Sequence, residues 1–224
     1  MLPRQLPLPH WPDINYHNAF MPLNDTRVDP KMKSIVVYRE YIEASLFEEI
    51  VQNNIDLENY IFNLIESPHY YDNVERIFHL IEIWGGSAGR GLYQQRKNYN
   101  GFNWDNVSEK YRNIVNACLS IKNVDDDSLV NIYNDLDRNS INQIGVSYIT
   151  KHVRFWTKRS LQDSMLPIYD NIMSCGNRRT TNGLYNVGAN WSQMIYYWRD
   201  MRDKAQEENI SLMTLERLLF NYFR

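Results

Sequence analysis

Cysteine is scarce in this chain of 224 residues, with Cys118 and Cys175 the two present. Two thiols cannot build a four-thiolate cluster or a zinc ribbon. Long apolar runs are missing as well. None approaches the roughly 18 residues that a membrane-spanning helix needs, so no membrane partner is expected. Charge of one sign is not in excess, because the formal net charge is −3, which gives no global positive field. The five histidines, His10, His17, His69, His79 and His152, lack the paired spacing of metal ligands. The GxxxxGK[ST] phosphate loop is absent, which argues against nucleotide hydrolysis. No metal and no cofactor are expected. Internal repeats are absent, and strand signals are few. Ile35-Val36-Val37-Tyr38 is the one serious candidate, and it could equally begin a helix. Pro3, Pro7, Pro9 and Pro12 stand where a secretory signal would need an apolar helix, so a cytoplasmic protein is the expectation.

What is present is helical pattern almost throughout. Residues 1–31 are proline-rich and aperiodic and read as an extended arm that packs on the body through Trp11, Tyr16 and Phe20. Residues 32–224 read as a single helical domain. Ser45 and Glu48 form a capping box opening Leu46–Asn53. Asp56 caps a helix with Leu57, Ile61, Leu64 and Ile65 on one face. Asn73 opens another that stops at Gly85-Gly86. Ser108 is expected to cap a helix to about Lys122, and Asp126 or Asp127 the next, to about Leu136. Ser140 and Gly145 frame a short hairpin before a helix at Ser147–Thr157. Two further helices are expected near Asn190–Glu208 and Ser211–Phe223.

Charge is unevenly distributed. Between Tyr148 and Thr180 lie Lys151, Arg154, Lys158, Arg159, Arg178 and Arg179 against Asp163 and Asp170. Asp125, Asp126, Asp127, Asp135 and Asp137 form an acidic run beside it. A basic face next to an acidic one fits a protein that binds a polyanion on one side; a solvated helix face is the plainer alternative. Four of the nine glycines fall in Gly85-Gly86 and Gly89-Arg90-Gly91. There Gly86 allows close approach to a phosphate backbone, with Arg90, Arg96 and Lys97 on the phosphates, or the segment is an ordinary helix end and turn. Arg178 and Arg179 are candidates for the same contact.

The chemistry centres on Ile144-Gly145-Val146-Ser147-Tyr148-Ile149-Thr150-Lys151. A turn containing Gly145 leads into a helix, whose N-terminal N–H groups can hold a phosphate. The spacing of Tyr148, Ile149, His152, Val153 and Trp156 marks the buried face, with Lys151 and Phe155 on a flanking stripe. At the edge of a core, partial desolvation lowers a lysine pKa and makes the amine a usable nucleophile. Leu166-Pro167-Ile168-Tyr169-Asp170 follows, placing Asp170 nineteen residues after Lys151, at the expected start of a helix. A fixed carboxylate stabilises positive charge that builds on a sugar when an N-glycosidic bond breaks.

Turn, helix, Lys151, nineteen residues and Pro-x-x-Asp resemble the helix-hairpin-helix DNA glycosylases, and most nearly the short bacterial form of the 8-oxoguanine glycosylase branch. The likeness is carried by about 140–175 and 190–224. It implies an all-α fold of two helical lobes flanking a cleft. It also implies that Lys151 attacks the sugar C1′ and forms a Schiff base, while Asp170 stabilises the oxocarbenium ion. Leu215-Glu216-Arg217-Leu218-Leu219-Phe220 is similar to the family's late helix, so the resemblance places Glu216 and Phe220, with Phe155, around a flipped base. Three departures stand out: one hairpin glycine (Gly145) instead of several, Glu216 in place of a glutamine, and Phe155 where a small residue is familiar. A carboxylate at 216 would accept from an exocyclic amine such as cytosine N4. The implied partner is double-stranded DNA carrying a modified base, bound by a monomer. Two substrates follow, a hypermodified (for example glucosylated hydroxymethyl) cytosine of phage DNA in antiphage defence, slightly preferred, and 8-oxoguanine in base-excision repair. Some AP-lyase activity is implied. The alternative is a non-catalytic DNA-binding module of the same fold.

Overall fold

The computed structural model describes residues 11–16, 56–85, 104–141, 144–169 and 191–223. The box at Ser45 and Glu48, the strand candidate at 35–38, the glycine-rich segment from Gly86 to Tyr99, Phe20, Asp170, Arg178 and Arg179 lie outside them. Among the described residues every regular element is a helix, so the chain is all-α there. The helices are α1 (Leu57–Glu66), α2 (Val74–Trp84), α3 (Trp104–Ser120), α4 (Asp126–Arg138), α5 (Val146–Leu161), α6 (Trp191–Glu207) and α7 (Leu212–Phe223). None is long and apolar enough to cross a membrane.

The described residues fall into two compact units. One lies within Asp25–Arg112 and Ile141–Ile144, the other within Met1–Asn24, Asn113–Ser140 and Gly145–Arg224. In the first, Asp56 caps α1 as expected, its carboxylate accepting from the amides of Glu58 (3.1 Å) and Asn59 (3.3 Å). Leu57, Ile61 and Ile65 recur at i, i+4 and i+8, so one face of α1 is apolar and packs on α2. A 3-10 turn, Tyr70–Asn73, leads into α2, and Asn73 makes no side-chain cap bond. Phe78 of α2 meets Tyr111 edge-on at 4.8 Å, and Trp104 is tilted against Phe78 and edge-on to Tyr111.

The start of α3 differs from the expectation. The helix begins at Trp104, and Ser108 sits inside it, donating to the Asp105 carbonyl. In the second unit the cap of α4 is Asp125, which accepts from the Ser128 amide at 2.7 Å, rather than Asp126 or Asp127. Asp126 instead accepts from Arg199 and Arg202 of α6 at 3.0 and 2.9 Å. The join of α6 to α7 follows local chemistry. Asn209 takes φ 51, the Ile210 amide donates back to Ala205 O, and the Ser211 hydroxyl caps α7 by accepting from Thr214 N. Tyr16 of the arm is buried, its hydroxyl on Pro12 O and Lys204 of α6 over its ring at 4.9 Å.

Helix α5 runs longer than expected, from Val146 to Leu161, and it is not amphipathic in effect. Every residue from Ile149 to Thr157 is buried. Among the charged and polar ones, Thr150, Arg154 and Thr157 receive partners from other elements, and Lys151 bonds back to Ser147 of the same helix.

Candidate functional site

Gly145 precedes α5 as its N-cap, with φ −73 and ψ 168. That conformation is open to any residue, and a Cβ built there meets nothing within 4 Å. No close approach therefore requires the glycine. Its carbonyl accepts from Tyr148 and Ile149 and begins the helix ladder.

Six residues after Gly145 comes Lys151, 8% exposed. Its ammonium is folded back along the helix, donating to Ser147 Oγ (3.2 Å) and Ser147 O (3.3 Å), and it lies 4.9 Å from the Tyr148 ring centroid. Thr150, the residue before it, faces another way. The Tyr169 amide donates to Thr150 Oγ1 at 3.1 Å, and the Thr150 hydroxyl reaches the Ser147 carbonyl at 3.2 Å. Ser147 O is thus a shared acceptor for the Lys151 ammonium and the Thr150 hydroxyl.

Tyr169 is the last described residue of a buried, non-helical strap, Met165–Tyr169. Non-helical chain in a core has no ladder of its own, so its backbone groups need partners. Side chains of three helices supply them. Leu166 N donates to Thr157 Oγ1 (3.0 Å), and Pro167 O accepts from Trp198 Nε1 (2.8 Å). Ile168 N donates to Glu216 Oε1 (2.7 Å), and Ile168 O accepts from the Tyr197 hydroxyl (2.8 Å). The missing N–H of Pro167 leaves no donor to satisfy at that position.

Glu216 completes the cluster. Its other oxygen accepts from Arg154 Nε at 2.6 Å, and both side chains are buried. Glu216 therefore has a structural engagement on each oxygen, which is a different setting from a carboxylate waiting for an exocyclic amine. Phe155 is likewise fully buried, with the Arg154 guanidinium 5.4 Å from its ring. Phe220, one turn beyond Glu216 on α7, is half-buried. The structure thus joins Glu216 to α5 beside Phe155, and joins the residue before Lys151 to the residue before Asp170.

The basic stretch is not one exposed face. Arg154 is inside and paired, Lys151 is nearly covered, and Lys158 is bonded to Asp163 at 2.9 Å. Within the acidic run, Asp125 caps α4, Asp126 pairs with Arg199 and Arg202 of α6, and Asp135 pairs with Arg138 of its own helix at 3.6 Å. Burial alone would raise the Asp126 carboxyl, but the Arg202 hydrogen bond and the charges of Arg199 and Arg202 outweigh it and hold the pKa below the ordinary value. Among the described residues no three His, Cys, Asp or Glu side chains are grouped to hold a metal ion.

Periodicity did not reveal Thr150, Thr157, Tyr197 and Trp198, or the true role of Arg154. One sequence signal was available. Thr150, Arg154 and Thr157 stand at i, i+4 and i+7, a polar stripe along an otherwise apolar helix, and such a stripe needs buried partners. Set against protein-family models, curated proteins and solved structures, the chain finds no match.

Proposed function

We propose that the chain is a DNA glycosylase of helix-hairpin-helix type, with Lys151 as nucleophile and Asp170 as the carboxylate partner. One observation carries the reading beyond sequence resemblance. The Tyr169 amide is hydrogen-bonded to Thr150 Oγ1, and these two residues immediately precede Asp170 and Lys151 in the chain. The bond holds Tyr169, the last described residue before Asp170, to the helix that carries Lys151.

In the proposed reaction a modified base is flipped out of duplex DNA, which leaves its C1′ accessible. The Lys151 amine, released from Ser147 and deprotonated, forms a bond to C1′ as the C1′–N bond to the base breaks. The base departs with a proton, and Asp170 stabilises the positive charge on the sugar. Ring opening then gives a Schiff base that hydrolyses to an abasic site or eliminates the 3′ phosphate.

Glu216 and Phe155 are the residues that bore on the identity of the base, and both are engaged in the core. Hypermodified cytosine and 8-oxoguanine therefore stand as equal substrates for assay.

The test is covalent trapping. With abasic-site duplex and borohydride the wild-type protein is expected to give a stable adduct, lost in Lys151→Ala and kept in Lys122→Ala, an exposed lysine outside the candidate site. Base release is measured on phage DNA with glucosylated cytosine and on an 8-oxoguanine duplex. Absence of both adduct and base release would refute the proposal. The second reading, a DNA-binding module without chemistry, is favoured by the near-burial of Lys151 and the hold of Ser147 on its ammonium. It predicts duplex binding with neither adduct nor base release.

A further inference from the structure

We propose that Ser147 is a positioning residue that holds the Lys151 amine back from reaction, so that the nucleophile is latent in the free protein. The meaning of this hold for catalysis rests on the glycosylase reading above. Three features of the structure support it.

The first is where the amine is kept. Lys151 Nζ lies 3.2 Å from Ser147 Oγ, 3.3 Å from Ser147 O and 4.9 Å from the Tyr148 ring centroid. These contacts come from the preceding turn of α5 itself, so the lysine is folded back along its own helix. Ser147 and Tyr148 are half-buried, and Lys151 is nearly covered. An amine kept in this way has to leave Ser147 before it meets a sugar carbon.

The second is a division between the two oxygens of Ser147. The carbonyl also accepts from the Thr150 hydroxyl, at 3.2 Å. The side-chain oxygen is engaged by Lys151 alone among the described residues. The hydroxyl is therefore the part of Ser147 given over to the amine.

The third is the chemistry of a hydroxyl. A carbonyl oxygen only accepts, whereas a hydroxyl both accepts and donates. The Ser147 hydroxyl accepts from the ammonium. Once the ammonium has lost a proton to solvent, the same hydroxyl turns and donates to the nitrogen. The lone pair it then engages is the pair that has to form the bond to C1′. The Tyr148 ring face and the Ser147 carbonyl engage only the N–H side. Ser147 Oγ thus restrains the amine in both protonation states.

The experiment compares Ser147→Ala, Ser147→Thr and Ser160→Ala with wild type in two measurements. One is the single-turnover rate of borohydride adduct formation on an abasic-site duplex, with DNA affinity measured alongside. The other needs no DNA: the rate of reductive methylation of Lys151 by formaldehyde and cyanoborohydride, followed by peptide mass analysis relative to exposed Lys122. Ser147 is half-buried in the first turn of α5, and melting temperature checks that each variant is folded. Ser160 is a half-buried serine of the same helix whose hydroxyl donates to the Cys118 carbonyl at 2.7 Å, so its loss controls for general loosening. A hydrogen bond to a charged group is worth enough for Ser147→Ala to raise both rates about 3- to 10-fold, with DNA affinity unchanged. Ser147→Thr restores the hydroxyl and should return both to within about twofold of wild type, and Ser160→Ala should match wild type. A rate unchanged or lowered by Ser147→Ala in either measurement, or raised equally by Ser160→Ala, overturns the hold and leaves the glycosylase reading intact. A wild type that gives neither adduct nor base release overturns the glycosylase reading, and methylation then decides by itself whether Ser147 restrains the amine.

Discussion

Arg154 and Glu216 form a buried ion pair across 62 residues of sequence, Nε to Oε2 at 2.6 Å, and the same carboxylate accepts the Ile168 amide through its second oxygen. A charge enclosed in this way is costly unless its partner stays. The pair therefore joins α5, α7 and the strap into one cooperative unit around the candidate site.

Removing one member should be far worse than its conservative replacement suggests. Glu216→Ala strands both the guanidinium and the Ile168 amide and is expected to destabilise the protein by about 3–5 kcal/mol. Glu216→Gln keeps an acceptor for one donor and should cost less. Urea unfolding of both variants measures the difference. If Glu216→Ala costs under about 1 kcal/mol, the pair is not the joint described here.

Acid should weaken the contact of α4 with α6. The Asp126 pKa is held below its ordinary value, so the stabilisation it contributes is full above the ordinary carboxylate range, near 3.9. It is lost as pH falls through the depressed folded-state pKa. Asp126→Asn is expected to cost about 1 kcal/mol at neutral pH, since the pairs are partly exposed. The difference from wild type should shrink as pH falls below 4. A gap that is constant from pH 7 to pH 2 contradicts this.

Backbone strain at the end of α5 can be relieved. Gln162 has φ 53 and ψ −125, its side chain is exposed, and its hydrogen bonds there are to neighbouring backbone. Glycine adopts that conformation without the Cβ penalty. Gln162→Gly should therefore raise stability, by about 1 kcal/mol after the entropy cost of glycine in the unfolded chain. A melting temperature lowered by the substitution would show that the side chain contributes more than the strain takes away.

Cys118 should be inert in the native state. It is fully buried on α3, and burial pushes its thiol pKa up, so little thiolate forms at neutral pH. Iodoacetamide labelling followed by peptide mass analysis should find Cys118 unmodified in native protein and modified in urea. Rapid native labelling at this position would mean that α3 opens easily.

Local chemistry accounts for where most helices lie. Asp56, Asp125 and Ser211 cap helices because a short polar side chain reaches the first free amides, and the apolar spacing of α1 and α2 follows from the 3.6-residue turn. Ser108 shows the limit, since a residue with capping chemistry serves equally inside a helix when its hydroxyl turns back on a carbonyl.

The meaning of the charged residues could not be read in the same way. Arg154 counted toward a basic surface and Glu216 toward a base pocket in the linear chain, and packing assigns them to each other inside the protein. Caps and periodicity act over a few residues, so they are written locally. Whether a charge faces water or a partner depends on which distant segment folds against it, and that choice is made when the whole unit packs.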